Sequence, residues 1–374
     1  MNTIAISQVE LYKLSIPLKA PFVISLGPIY NAENVVVVIR TDAGISGFGE
    51  SSPFMSINGE SADTGIVVAE YLAKSIIGKD ALDIGSRITD MDRVIYGNQS
   101  IKSAFDMALY DIAAQHAGQP LYQFLGGHKT KLITTDYTVS IGEPSAMAKE
   151  ALWIKEQGFP AIKVKLGQDG RMDVKRINAI RDAVGTDIPI RIDANQGWSI
   201  PEAIETLKAL SVFDIQHCEE PIPRWAFMQL PAVRKESPIP IMSDESCGDD
   251  HDAERLISIG ACDYLNIKLG KSGGIYKALK MVKLAEQADM HLQVGAFMES
   301  RLAMTAFAHF SLCSPMITHY DFDTSLMFSE DPVDGGMKYL QNGVIEVPDA
   351  PGIGATISSK WLEKAFIRTI TRQA

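Results

Sequence analysis

Ala161-Ile162-Lys163-Val164-Lys165-Leu166-Gly167 is the stretch whose reading decides the fold. It has the composition of a buried strand that ends in two lysines. Side chains alternate faces along a strand, so Lys163 and Lys165 point the same way and Val164 points to the other face. Two ammonium groups on one face repel and lose hydration. That predicts a lowered pKa for at least one of them, toward the range where lysine acts as a base. A lone Lys-x-Lys is more often a solvated edge strand. The sequence on either side favours the other reading.

From residue 132 onward, short β-branched runs recur about every 25 to 30 residues, with helical patterns between them. The runs are residues 132–139, 161–166, 188–193, 213–219, 239–244, 264–268, 291–294 and 317–323. Eight alternating β/α units predict a (β/α)8-type barrel. Before it, residues 9–16 and 35–48 are β-rich, with a hairpin turn at Thr41-Asp42-Ala43-Gly44. Residues 17–34 and 52–61 read as irregular stretches. Residues 104–114 form an amphipathic helical segment closed by Gly118 and Pro120. The expected organisation is an α+β capping domain at 1–128, a barrel at 129–337, and a tail at 338–374 that returns to the cap.

Active sites of such barrels lie at the C-terminal ends of the strands. The third, fourth and fifth runs end in Asp193, Glu219 and Asp244. Three carboxylates converging at one rim repel unless a cation sits among them, and oxygen-only donors suit Mg2+. The sixth run ends in Lys268, so Lys165 and Lys268 are expected to face each other across the mouth. That arrangement suits removal of an α-proton from one face of a metal-held carboxylate and its return on the other, through an enediolate. The eighth run ends in Asp321 and Asp323, a paired anion suited to a substrate ammonium. Thr135 is the one inward hydroxyl of the first run and a candidate substrate contact. The loop Gly270-Lys271-Ser272-Gly273-Gly274 offers a weaker reading as a phosphate cradle.

At 374 residues, 46% hydrophobic and 22% charged, the chain is long enough for a sizeable core. A net charge of −11 argues against nucleic-acid binding. No apolar run is long enough to span a bilayer and no signal peptide is evident. Four scattered cysteines read as reduced core thiols, so a cytoplasmic protein is expected.

Lys-x-Lys, Asp-Ala-Asn-Gln, Glu-Glu-Pro, Ser-Asp-Glu-Ser and Asn-Ile-Lys, in that order, resemble the enolase superfamily, muconate-lactonizing subgroup. The resemblance covers essentially the whole chain. It implies a modified (β/α)7β barrel under an N-terminal α+β cap, with Asp193, Glu219 and Asp244 as Mg2+ ligands. It also implies Lys165 and Lys268 as opposed acid/base lysines, with Lys163 as an auxiliary that lowers the pKa of Lys165. The strand-eight Asp-x-Asp is similar to that of dipeptide epimerases acting on L-Ala-X. The implied partner is thus a small dipeptide, with a homo-oligomer expected. Ile24, Phe54 and Met298 suggest an uncharged, apolar pocket for X, although Glu60 and Asp63 could instead favour a basic side chain. Other readings are an N-acylamino acid racemase, an o-succinylbenzoate synthase, a cycloisomerase, or a non-catalytic ligand-binding barrel.

Overall fold

The computed structural model describes residues 3–371. Its cap joins a four-stranded antiparallel sheet to a helical block that includes Ala62–Ile76, Ile84–Val94 and Gln99–His116. The strands are Ile6–Ile24, Gly27–Thr41, Ser46–Ser51 and Phe366–Thr371, and the last of these pairs with the first along the sheet edge. The helix Gln99–His116 is buried along almost its whole length, because cap sheet and barrel enclose it from both sides. Its contact with the third strand requires glycine. A Cβ on Gly47 or Gly49 would lie 2.0 or 1.9 Å from the carbonyl oxygens of Ala108 and Ala104.

The residues read as an irregular stretch at 17–34 form one long hairpin instead. Pairing runs from Ile6↔Thr41 to Ile24↔Gly27, with the register shifting between Pro17 and Phe22. Prolines are tolerated at such an irregularity, so their presence did not mark a loop. Ser25 and Leu26 form the turn, and Gly27 has a φ of 121°.

Eight parallel strands follow in sequential order: Tyr137–Val139, Ile162–Lys165, Ile190–Asp193, Ile215–Glu219, Ile241–Ser243, Tyr264–Ile267, His291–Val294 and Ile317–Tyr320. Seven helices alternate with them, from Pro144–Glu156 to Arg301–Phe310, and a 3-10 turn (Thr324–Met327) follows the eighth strand. The protein is a (β/α)7β barrel with an N-terminal cap. The first and last strands meet through side chains. The Phe322 amide donates to Thr135 Oγ1 (2.8 Å), and the Thr138 amide donates to Asp323 Oδ2 (2.7 Å). The first run also differs from its expected form. Ile133–Thr134 leaves the barrel to pair with Val344–Glu346, so Thr135 sits at a corner between two strands.

Buried acids of the cap hold it to the barrel. The Asp106 carboxylate accepts the amides of Ile275 (2.5 Å) and Tyr276 (3.2 Å), which begin the sixth barrel helix, Ile275–Gln287. Glu50 accepts the amides of Ser300 (3.0 Å) and Ala303 (3.1 Å) at the start of the seventh. Unpaired N–H groups and a positive dipole end make helix N-termini suited to carboxylates. Asp106→Ala would leave buried amides without an acceptor. It is expected to cost about 1–3 kcal/mol in denaturant unfolding, and Asp106→Asn less.

Candidate active site

The C-terminal ends of the barrel strands carry a buried network of acids and lysines. Asp193, Glu219 and Asp244 are fully buried, and Lys163, Lys165 and Lys268 nearly so. Strand register fixes their places: Lys165 lies beside Asp193, and Asp193 beside Glu219. Lys163 Nζ reaches Glu219 Oε2 and Asp321 Oδ2, both at 2.8 Å, and Asp193 Oδ2 at 3.3 Å. Lys165 Nζ lies 2.6 Å from Asp193 Oδ2, and Lys268 Nζ lies 2.8 Å from Asp244 Oδ2. Asn266 Nδ2 donates to Glu219 Oε1 at 2.7 Å.

These contacts revise the electrostatics expected from two adjacent ammonium groups. Burial pulls the Lys163 pKa down, but Asp321, Glu219 and Asp193 lift it well above the ordinary lysine value. Opposite charges therefore outweigh repulsion at Lys163. Burial raises Asp193 and Asp244, but neighbouring lysines hold both below the usual carboxylate range. Glu219 goes up to about 7, from burial first and then the nearby Asp193 charge. The strand-eight pair is split. Asp321 is held low against its burial by Lys163 and Lys165, whereas Asp323 is pushed well up by burial, Asp321 and Asp136.

Asp193, Glu219 and Asp244 are not drawn in around one point as a closed ligand set; among the described residues no such group of three exists, and each carboxylate turns toward a lysine. Spare donor capacity remains. Asp244 Oδ2 receives no hydrogen bond of good geometry, and Asn195 Oδ1 and Glu245 Oε2 are buried without a partner. Unpartnered hard oxygen donors at the ends of the third and fifth strands, with the Glu219 carboxylate between them, fit Mg2+ in kind.

One cavity at this end is lined by Lys165, Lys268, Asp321 and Asp323, with Ile24, Phe54 and Met298 above them. Eleven of the singled-out residues thus lie at one place: these seven line it, and Lys163 with the three strand-end acids forms its buried base. Thr135 does not line it. Its hydroxyl donates to the Asp136 carbonyl (2.8 Å) and accepts the Phe322 amide, while Thr138 faces the cavity. Glu60 is likewise committed elsewhere. Its carboxylate accepts the amides of Ser100 (2.9 Å) and Ile101 (3.2 Å), and Asp63 pairs with Lys13.

Two contributors escaped the sequence reading. Lys271, expected at most in a phosphate loop, is buried with Nζ 2.5 Å from Asp244 Oδ1 and 3.0 Å from the Cys247 carbonyl. Its signal was the three-residue step from Lys268, which one helical turn, Leu269–Ser272, brings back onto the same acid. Glu220 accepts the amides of Asp244 (2.7 Å) and Ser246 (3.2 Å) and so fixes the loop that carries Asp244. It does so from a left-handed backbone conformation, φ 36°.

Residues 6–126 match the model of the mandelate racemase/muconate lactonizing enzyme N-terminal domain, and residues 146–361 match the enolase C-terminal domain-like model. A D-Ala-D/L-Ala epimerase of Cytophaga hutchinsonii is 57% identical, over 96% of this chain and 97% of that one. An L-Ala-D/L-Glu epimerase of Clostridium acetobutylicum is 37% identical, over 93% and 98%. The crystal structure of a Cytophaga hutchinsonii dipeptide epimerase complexed with Mg and the dipeptide D-Ala-L-Val superposes with a TM-score of 0.96 at 56% identity, covering 98% of this chain and 99% of that one. With cap, barrel and strand-end acids as described, the chain belongs to the enolase superfamily, in its mandelate racemase/muconate lactonizing branch, and there to the dipeptide epimerases, which are isomerases.

Proposed function

We propose that this enzyme inverts the α-carbon of the second residue of an alanine-first dipeptide, with Lys165 and Lys268 working from opposite faces. The observation that carries this reading is the placing of the two lysines. They come from the second and sixth strands, four places apart in an eight-strand ring, and both line the same cavity. Each lysine, in its neutral form, takes the α-proton from one face, and the opposite ammonium returns one on the other. Lys163, pinned among Glu219, Asp321 and Asp193, keeps its positive charge beneath the reacting carboxylate. Asp193, Glu219 and Asp244 would hold the Mg2+, which when bound neutralises the substrate carboxylate and acidifies its α-carbon.

Asp321 and Asp323 would receive the ammonium of the first residue, whose charge favours the ionised form of Asp323. The configuration of that alanine is revised by kinship: the relative at 57% identity acts, by its name, on D-Ala dipeptides, so D-Ala is proposed in place of L-Ala. Ile24, Phe54 and Met298 present no charge, and Glu60 is tied to backbone amides, so the second side chain is proposed to be uncharged and apolar.

Solvent deuterium should enter the second α-position of D-Ala-L-Ala or D-Ala-L-Val and appear in both epimers by NMR. Absence of exchange from every alanine-first dipeptide would remove the reading. Treatment with EDTA should abolish exchange, and added Mg2+ should restore it, whereas a plain binding module would keep its affinity. Lys165→Ala and Lys268→Ala should each lower epimerisation by about 10²- to 10⁴-fold. Each should leave α-exchange from a different single epimer. An Asp321→Asn, Asp323→Asn double variant should lose turnover of free-amine dipeptides. Retained turnover of those dipeptides, or of N-acylated amino acids alone, would favour an acylamino acid racemase.

A further inference from the structure

We infer that Phe297 is a positioning residue for Lys268, and that the cap, through Phe54, sets the place of this one of the two lysines. The inference rests on the epimerase reading above. Lys268 Nζ lies 4.8 Å from the centroid of the Phe297 ring. That is within the reach, about 6 Å, at which the negative face of a ring attracts an ammonium, and more strongly where water is excluded. Lys268 is 3% exposed and Phe297 5%, so the contact is desolvated.

The ring is held from the cap side. Phe54, in the loop after the third cap strand, stacks against Phe297 with centroids 5.9 Å apart and planes at 30°. The backbone that carries Phe297 is also fixed. Its amide donates to Glu299 Oε2 (2.6 Å). The next residues are tied to the cap: the Met298 amide donates to Ser52 Oγ (3.1 Å), Asn34 Nδ2 donates to the Met298 carbonyl (2.8 Å), and the Ser300 amide donates to Glu50 Oε1 (3.0 Å). The loop after the seventh strand is thus shaped by the cap, and it places a ring face against Lys268.

Lys165 has no such arrangement. Its ammonium meets Asp193 on the neighbouring barrel strand, and among the described residues no aromatic ring faces it. One lysine is therefore placed by the barrel alone, the other by barrel and cap together. Weakening the ring contact should slow proton transfer on one face of the substrate only. A general loss of packing would slow both.

The test uses the full chain with Mg2+, in D2O, with D-Ala-L-Ala and D-Ala-D-Ala as separate starting epimers. NMR follows early loss of the α-proton from the starting epimer, together with inversion. Phe297→Leu keeps an apolar side chain and removes the ring face. It is expected to slow inversion about 10-fold, and to slow exchange from one epimer about 10-fold while exchange from the other stays within about two-fold. Phe297→Tyr should restore the lost exchange. Phe54→Leu, which leaves Phe297 in place, should give the same one-sided change at smaller size, and it serves if Phe297→Leu does not fold. Equal slowing of both epimers, or no change in either, with the wild type active, would overturn the inference and leave the epimerase reading standing. If the wild type exchanges neither epimer, the epimerase reading fails and this inference falls with it.

Discussion

Burial of more acid than base at the barrel mouth is the constraint on which the rest of the site depends. Eight carboxylates are enclosed there: Asp136, Asp193, Glu219, Glu220, Asp244, Glu245, Asp321 and Asp323. Five cations meet them, Lys163, Lys165, Lys268 and Lys271 with Arg191 on Asp136. A buried charge without a partner is costly, so neighbouring lysines hold some of these acids low while burial and acid neighbours push the others upward, Glu219 among them although Lys163 lies 2.8 Å away. Asp193, Asp244 and Asp321 follow the first course, and Glu220, Glu245 and Asp323 the second. A site with this excess of acid has places for added positive charge. A divalent cation among the strand three-to-five acids and an ammonium at the strand-eight pair would both meet that need.

The same charge pattern explains why so much could be read from the sequence. Strand ends in a parallel barrel come at regular intervals, and charged residues at the ends of apolar runs stand out. Asp193, Glu219, Asp244, Lys165 and Lys268 were legible for that reason. What was not legible depended on the third dimension. The Lys163 pKa, which burial lowers, is lifted by Asp321, 158 residues away, and by Glu219 and Asp193 on other strands. Thr135 had the right residue type and the wrong corner, because the strand leaves the barrel at Thr134. Glu60 looked like a specificity determinant, but a helix N-terminus elsewhere in the cap takes it up. The hairpin at 17–34 was hidden in part because Pro17 and Pro21 sit where its pairing is already irregular.

Division of labour between the two layers follows from the contacts. The barrel supplies every charged group of the site. The cap supplies part of the apolar lining through Ile24 and Phe54, beside Met298 of the barrel, and it is fastened by the buried acids Glu50 and Asp106 at two barrel helix N-termini. Carboxylate-to-helix contacts are directional, so they fix the orientation of the cap as well as its attachment. Cap loops can therefore change the space above the cavity while the acids below stay in register, and Lys268 alone of the two lining lysines is tied to them, through Phe297 and Phe54.

The most direct measurement of the central claim is a crystal structure of the enzyme with Mg2+ and an alanine-first dipeptide. The account predicts that the Nζ atoms of Lys165 and Lys268 approach the second α-carbon from opposite faces at about 3–3.5 Å, with Asp193, Glu219 and Asp244 on one metal ion. Both nitrogens on the same face of that carbon, or a metal ion held by other groups, would contradict it.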